Sequence, residues 1–317
     1  MKIIVADEHK QITNEFLSIE KPTHIINSCA GRDHIDYKSC EELGVSVIEI
    51  DYEHAASCAE HAVGMLSYLT SIGPKNAGWT DGEEIKGKRV LIIGAGTIGM
   101  AIHKRLRGFE CECVEYYDPY AEFAQYTKRE QLLPALKRAD VAFLACPLSK
   151  ETKSLFGYQE LLALKDSILI NVARSQIVDS YHLGNAVRDW GLRVGWDFPD
   201  ELYKSDWKAY NYLLHASSRG RCIMTNHNAW RTREAKKRRE RAVCEAKREC
   251  CETKVSQETA VREAKEEVER SLIKRFRTKP QLSQTAKDAN QKVCSKAKAR
   301  QVSPTESSKL EGDTQVN

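Results

Sequence analysis

The sequence predicts an α/β protein: a doubly wound parallel sheet, joined to a smaller α/β layer on its N-terminal side and followed by a basic helical tail. Three observations carry this. A run rich in β-branched residues leads directly into Gly94-x-Gly96-x-x-Gly99 and then into a helical pattern. Strand and helix patterns alternate through the first 230 residues, the arrangement that buries a parallel sheet between helices. The charge is divided: residues 1–230 carry 26 Lys and Arg against 31 Asp and Glu, a net of −5, whereas residues 231–317 carry 23 against 14, a net of +9.

The elements follow in order. Lys2–Val5, His24–Ser28 and Val45–Ile50 read as strands, with helices at Ile12–Leu17 and Tyr37–Leu43 between them, a small parallel layer. Ala55–Thr70 reads as a helix with Ala59, Ala62, Val63, Leu66 and Leu69 on one side, crossing to the next layer. Gly73, Pro74, Gly78 and Gly82 mark a loop. After the strand that opens at Lys88 come strands at Glu110–Tyr117, Val141–Ala145, Ser167–Val172, Leu192–Trp196 and Cys222–Thr225. Helices are expected at Arg129–Arg138, Tyr158–Leu164 and Ser180–Trp190. Arg231–Phe276 lacks Gly and Pro, so it should be helical, with a thin apolar stripe through Val261, Ala264, Val268, Leu272 and Phe276. Lys279-Pro280 ends it, and the polar remainder reads as disorder. The expected domains are residues 1–70, 71–228, a helical segment 229–278 and a disordered tail 279–317.

Length and composition set bounds. A chain of 317 residues holds about two domains with real cores. Its eleven cysteines form no zinc-like pair of CxxC motifs, so no metal is implied and a reducing, cytoplasmic setting with free thiols is expected. No apolar run reaches the length of a membrane span, and Asp7 and Glu8 interrupt any signal-peptide core.

The glycine motif is weak evidence alone, since a glycine-rich turn without a ligand has the same letters. Its context is that of a dinucleotide-binding Rossmann unit. Gly94 would permit the tight turn, Gly96 would let backbone amides approach a pyrophosphate, and Gly99 would let the helix pack on the sheet. Asp118 ends the next strand, nineteen residues after Gly99, where a carboxylate can accept from ribose hydroxyls and so favour NAD over NADP.

Ligands of such sheets bind outside the carboxyl ends of the strands. Those ends here supply Pro147, Asn171 to Arg174, Asp197 with Glu201, and Asn226-His227. Arg174 could grip a carboxylate and a neighbouring carbonyl oxygen with parallel donors, His227 could exchange a proton with the alkoxide, and Glu201 could orient the imidazole. Singly, each has a plainer reading: a surface ion pair, a solvated loop acid, a structural histidine. Their joint placement is what argues for chemistry.

These residues resemble the NAD-dependent D-isomer-specific 2-hydroxyacid dehydrogenases over about residues 1–245. SCAGRDHID (Ser28 to Asp36) resembles the loop whose amides meet the substrate carboxylate, which implies Ala30 and Gly31 as substrate contacts. Ala59-Glu60-His61 matches the start of the interdomain helix. PLSKET (Pro147 to Thr152) resembles a segment near the cofactor, and NVARSQIVD (Asn171 to Asp179) the signature holding the substrate arginine, Arg174. WDFPDE (Trp196 to Glu201) resembles the segment with a cofactor-contacting Asp197 and the catalytic Glu201, and TNHNAWRTREA (Thr225 to Ala235) the segment with the catalytic His227. The resemblance implies NAD, contacted by Gly94, Gly96, Thr97, Ile98, Gly99, Asp118, Cys146, Pro147, Thr152, Val172, Ala173, Arg174 and Asp197. It further implies a small 2-keto or 2-hydroxy acid, held by Arg174 and His227, a flavodoxin-like substrate domain and a homodimer. The pattern departs from the family in several places. The family has further residues before SCAGRDHID, so the substrate domain is expected to be shortened, with an exposed sheet edge, and the loop between residues 70 and 86 is short for dimer contacts. Ser175 replaces a Gly, Ala145 a common His, Asn226 a Pro and Leu202 a Pro, and the Glu201 segment is one residue shorter.

Two function classes therefore compete: a hydride-transferring dehydrogenase, and a non-catalytic NAD-binding scaffold, resembling the corepressors of this fold, that uses its tail for partners. Nucleic-acid binding through Lys236-Lys237-Arg238-Arg239 ranks below both, because Glu residues interleave and Phe276 is the tail's single aromatic after Trp230. The stripe is too thin and short to assign a coiled coil.

Overall fold

A computed structural model describes residues 1–7, 10–29, 31–50, 54–71, 73–75 and 78–277. The chain divides into two compact units, Met1–Cys251 and Glu252–Asn317. The first opens with β1 (Ile3–Ala6), α1 (Asn14–Glu20), β2 (His24–Asn27), α2 (Tyr37–Glu42) and β3 (Ser46–Glu49). Thr13 caps α1 and Asp36 caps α2, each accepting from the amide three residues on. The strands pair in parallel in the order β1-β2-β3. Right-handed crossovers carry both helices to one face, where Leu17, Ile25, Ile35 and Cys40 form a core.

α3 (Ala55–Thr70) has the predicted bounds and buries Ala59, Ala62 and Leu66 completely. The loop expected after it contains instead an antiparallel pair, β4 (Gly73–Lys75) with β5 (Gly78–Thr80). Gly and Pro signal a change of direction but do not tell a loop from a ribbon of three residues a side.

A second sheet follows, built from β6 (Arg89–Ile93), α4 (Thr97–Leu106), β7 (Cys113–Tyr117), α5 (Arg129–Leu136), β8 (Val141–Leu144), α6 (Tyr158–Ala163), β9 (Ile168–Asn171), α7 (Ser180–Asp189), β10 (Arg193–Trp196), α8 (Pro199–Ser205), α9 (Trp207–Ser217) and β11 (Cys222–Met224). Its six strands are parallel in the order β11-β10-β9-β8-β6-β7. The chain steps from β6 outward to β7, then returns past β6 to β8, so the winding reverses between β6 and β8 and a crevice opens there. All of β8 and β9 is buried, as continuous apolar runs covered on both faces should be. α8 and α9 correct the sequence reading, which placed no helix between Trp196 and Cys222. The signals were short but present: Pro199 at the first helical turn with Asp200 and Glu201, then Asp206 capping α9 through the Ala209 amide at 3.0 Å. α9 packs so closely on α7 that a Cβ on Gly184 would lie 2.7 Å from the Tyr212 ring.

α10 (Arg233–Arg277) closes the described chain. Ala242, Val243 and Ala246 on its first turns lie against Ile26 and Ile50, covering the second face of the small sheet. In the second unit the helix exposes Val261 and Ala264 and carries surface ion pairs from Glu266 to Arg262 and Arg270. The rest of the predicted stripe, at Val268, Leu272 and Phe276, and the expected disorder after residue 278 fall outside the described side chains or residues. No helix of the described residues is long and apolar enough to cross a membrane.

The glycine loop yields a contrast between two substitutions. A Cβ on Gly99 would stand 2.0 Å from the Gly94 carbonyl oxygen, whereas one on Gly96 would meet nothing within 4 Å. Gly99→Ala is expected to lose about 1–3 kcal/mol by overpacking, and Gly96→Ala to stay within about 1 kcal/mol while weakening dinucleotide binding. Urea melts and NADH titration of both variants check this.

Candidate active site

The strand-to-helix turn after β6 is shaped by its glycines. Gly94 has φ +105°, and a Cβ there would strike the Cys146 amide of the neighbouring strand end at 2.7 Å. The open space at Gly96 faces the start of α4, whose first turn has no side-chain cap. Its free N–H groups, with the positive end of the helix dipole, suit a phosphate. Asp118 stands across this turn, accepting from the Ala95 amide at 2.8 Å and from the Tyr120 and Ala121 amides at 2.8 and 3.2 Å. A carboxylate has about four lone-pair positions, so it retains acceptor capacity for hydroxyls. The turn and its acid therefore fit a dinucleotide.

The ends of β8 and β9 build the next stretch. Thr97 and Ile98 of α4, with Cys146, Pro147, Val172 and Ala173, line one cleft, and Gly31 and Arg174 close it. Burial pushes the Cys146 thiol up to about 12, so it is a neutral wall. Thr152 donates to the Pro147 carbonyl at 2.7 Å and accepts from the Ser149 amide, which folds Pro147 to Thr152 into a turn. The buried Asn171 side chain accepts from the Ala173 amide and donates to the Arg174 carbonyl, both at 2.9 Å, and this clamp turns Arg174 out of the sheet end.

Three neighbours hold the Arg174 guanidinium. Asp33 accepts from Nε at 3.3 Å and lies 3.2 Å from a terminal nitrogen, and the Ala173 carbonyl accepts from the other at 2.9 Å. The Phe198 ring lies beneath it at 5.3 Å. Gly31 leaves room for it, since a Cβ there would fall 2.0 Å from the guanidinium and displace it. Phe198 also meets His227, with ring centroids 4.5 Å apart and the planes tilted by 50°. Phe198 thus touches both the arginine and the histidine.

His227 owes its position to Asp197. That carboxylate is fully buried and accepts from Thr225 Oγ1 at 2.6 Å, the Asn228 amide at 2.9 Å and the Ala229 amide at 3.1 Å. The His227 amide donates to the Asp197 carbonyl at 2.7 Å. His61 of α3 joins the cluster, 2.9 Å from Thr225 Oγ1 and 3.5 Å from Asp197. His227 adopts a left-handed φ of +49° within this clamp. Glu201, in the first turn of α8, accepts from the Ser175 amide at 3.0 Å. Burial raises its pKa, partly opposed by that amide and by Arg174. Glu201, His227, Arg174 and Asp33 border one cavity. His54, beside the same clefts, is held down to about 4 by burial and by Arg239, Arg238 and His227.

The structure thus gathers Gly31, Arg174, Glu201 and His227 at one edge of the clefts, next to the cofactor candidates. Asp118 and Thr152 sit further along the strand ends, and Ala30 lies outside the described residues. Sequence reasoning missed Asp33, Phe198 and His61. All three lie inside segments it singled out, but a spacing pattern does not show which side chains hold another.

The family model described as D-isomer specific 2-hydroxyacid dehydrogenase, NAD binding domain, matches residues 59–229. The chain belongs to this family. 2-Hydroxyacid dehydrogenase A of Aspergillus oryzae is 30% identical over 181 residues, covering 53% of this chain and 52% of its own length. The glyoxylate reductase of Pyrococcus horikoshii is 29% identical over 211 residues, 57% of this chain and 63% of its own. The D-lactate dehydrogenase of Aquifex aeolicus, solved with NAD and lactic acid, superposes with a TM-score of 0.66 at 25% identity, covering 78% of this chain and 82% of that one. The chain spans about half the length of the curated relatives that it matches.

Two outcomes follow for a member of this family with these contacts. Asp197→Ala strands the buried Ala229 amide and removes the acceptor of the half-buried Asn228 amide, and should cost about 1–4 kcal/mol, since a buried unsatisfied donor costs about 1–3 kcal/mol and a wetter one less; chemical denaturation reads it. Because the Glu201 pKa is raised in the fold, its contribution favours folding at pH below the unfolded value and turns against folding as the pH rises through the folded value. Glu201→Gln should therefore gain thermal stability relative to wild type at pH 7 compared with pH 4, as paired melting curves would record.

Proposed function

We propose that this chain is an NAD-dependent oxidoreductase interconverting a small 2-keto acid and a D-2-hydroxy acid. The carrying observation is that Arg174, Phe198 and His227 line one cavity with Ile98 of α4, the helix that follows the glycine turn, and that Phe198 touches both the guanidinium and the imidazole. Residues 71–228 form the cofactor layer in this reading; residues 1–70, with the first turns of the return helix, form the flavodoxin-like substrate layer. The residues around the glycine turn would hold NAD, which would supply hydride exchange at the carbon next to the substrate carboxylate.

The chain's own residues do the rest. Thr97, Ile98 and the open space at Gly96 receive the pyrophosphate, and Asp118 receives the ribose hydroxyls. Asp33 and the Ala173 carbonyl fix the plane of the Arg174 guanidinium, whose remaining N–H groups meet the substrate carboxylate and polarise the adjacent carbonyl. The imidazole of His227 donates a proton to the alkoxide oxygen in reduction and removes it in oxidation. Glu201 orients that imidazole and favours its protonated form. Asp197 and His61 hold the loop so that the histidine keeps its place. Phe198, Val172 and Cys146 wall the reacting carbon from water.

The test is NADH oxidation with pyruvate, glyoxylate and hydroxypyruvate, alongside an NADH-binding titration. His227→Ala and Arg174→Ala should each lower kcat/KM by about 10²–10⁴-fold and leave NADH binding in place. Tight NADH binding without turnover on any 2-keto acid would overturn the catalytic reading in favour of a scaffold.

A further inference from the structure

A second arginine faces the same cleft as Arg174 and comes from a different element. Arg239 lies on α10, twelve residues beyond His227. Its Nε and a terminal nitrogen donate to Ser28 Oγ at 3.1 and 2.7 Å, and its guanidinium covers the Trp230 ring at 5.0 Å. Among the described residues its hydrogen-bond and ring partners are thus a hydroxyl and an aromatic face, whereas Arg174 is paired with a carboxylate. Both arginines border the cavity that also receives His227, Phe198 and Trp230.

The spacing is set by one short loop. Ser28, which holds Arg239, and Gly31, which abuts Arg174, are three residues apart, so their Cα atoms are separated by about 10 Å at most. Because both guanidinium groups border the one cavity, a short acid gripped at one end by Arg174 can present its other end toward Arg239. The electrostatics agree. His54 on the same wall is neutral at pH 7, held there by burial and by Arg239, Arg238 and His227. The Asp197 carboxylate behind the wall is enclosed by amides and Thr225, and Glu49, on the outer groove, is engaged by Asn27 and Tyr37. The Trp230 indole N–H is buried without an acceptor among the described residues, a second donor on the residue that Arg239 covers.

We propose that Arg239 is a specificity-determining residue that receives a second anionic group, carboxylate or phosphate, at the far end of the 2-keto acid. This rests on the dehydrogenase reading above for the position of the first carboxylate. The rival account is that Arg239 only fastens α10 to the end of β2. In that case its removal weakens the fold and affects all acids alike.

The test compares the full-length wild type with Arg239→Met and Arg239→Lys. With NADH, oxaloacetate or 3-phosphohydroxypyruvate should exceed pyruvate in kcat/KM by about tenfold or more, and Arg239→Met should remove most of that ratio, mainly through KM. Arg239→Lys should restore part of it, since it keeps the charge without the fork. The two dianions tell carboxylate from phosphate. A ratio that stays within about twofold of wild type in Arg239→Met overturns the inference. A second measurement needs no turnover: calorimetric binding of D-malate, D-3-phosphoglycerate and D-lactate in the presence of NADH, with the His54 ring resonance followed by NMR. One of the two dianions should bind about tenfold tighter than D-lactate, and Arg239→Met should abolish that advantage and raise the His54 pKa. That binding pattern without turnover on any acid keeps the anion subsite and overturns the dehydrogenase reading. Turnover without preference for a dianion does the reverse, and binding of none of the three acids overturns the inference.

Discussion

Asp197 is the constraint on which the active-site edge depends. A carboxylate with no exposure to solvent is tolerable only when donors surround it, and here Thr225, Asn228 and Ala229 supply them from the single segment that carries His227. The same anion draws His61 from α3. Three elements distant in sequence, α3, the end of β10 and the segment after β11, are thereby tied at one point. The left-handed backbone of His227 is a consequence: the loop must turn sharply enough to aim two successive amides at one carboxylate, and the residue between them and Thr225 takes up the curvature.

Arg174 shows the complementary strategy. It is held from outside the strand by Asp33, a residue of the small layer, as well as by the Ala173 carbonyl at its own strand end. The cation therefore senses whether the two layers are in register. Phe198, the immediate neighbour of Asp197 in sequence, touches both Arg174 and His227. The site is fixed by one buried charge at its back and one ion pair at its front.

Much of this was legible in the letters. The glycine turn, Asp118, the alternation of strands and helices and the bounds of α3 follow from period and spacing, because a parallel sheet buried on both faces leaves long apolar runs that read without ambiguity. α8 and α9 did not, because their caps are spread over a short segment where Asp, Pro and Ser equally announce loops. Asp33 and Phe198 escaped for another reason. Their roles are relations to residues more than twenty positions away, and only the folded chain brings them together. Ser175, a departure from the family pattern, turns out to donate its hydroxyl to the Phe198 carbonyl and its amide to Glu201, contacts that a glycine could only half reproduce.

The closure of the small sheet by α10 bears on how the chain is made. Ile26 and Ile50 are synthesised early, but their cover, Ala246, emerges some two hundred residues later. At ordinary elongation rates that is a wait of roughly 10–40 s, during which the nascent N-terminal layer has one apolar face open to water. That face is covered only once the first turns of α10 have left the exit tunnel.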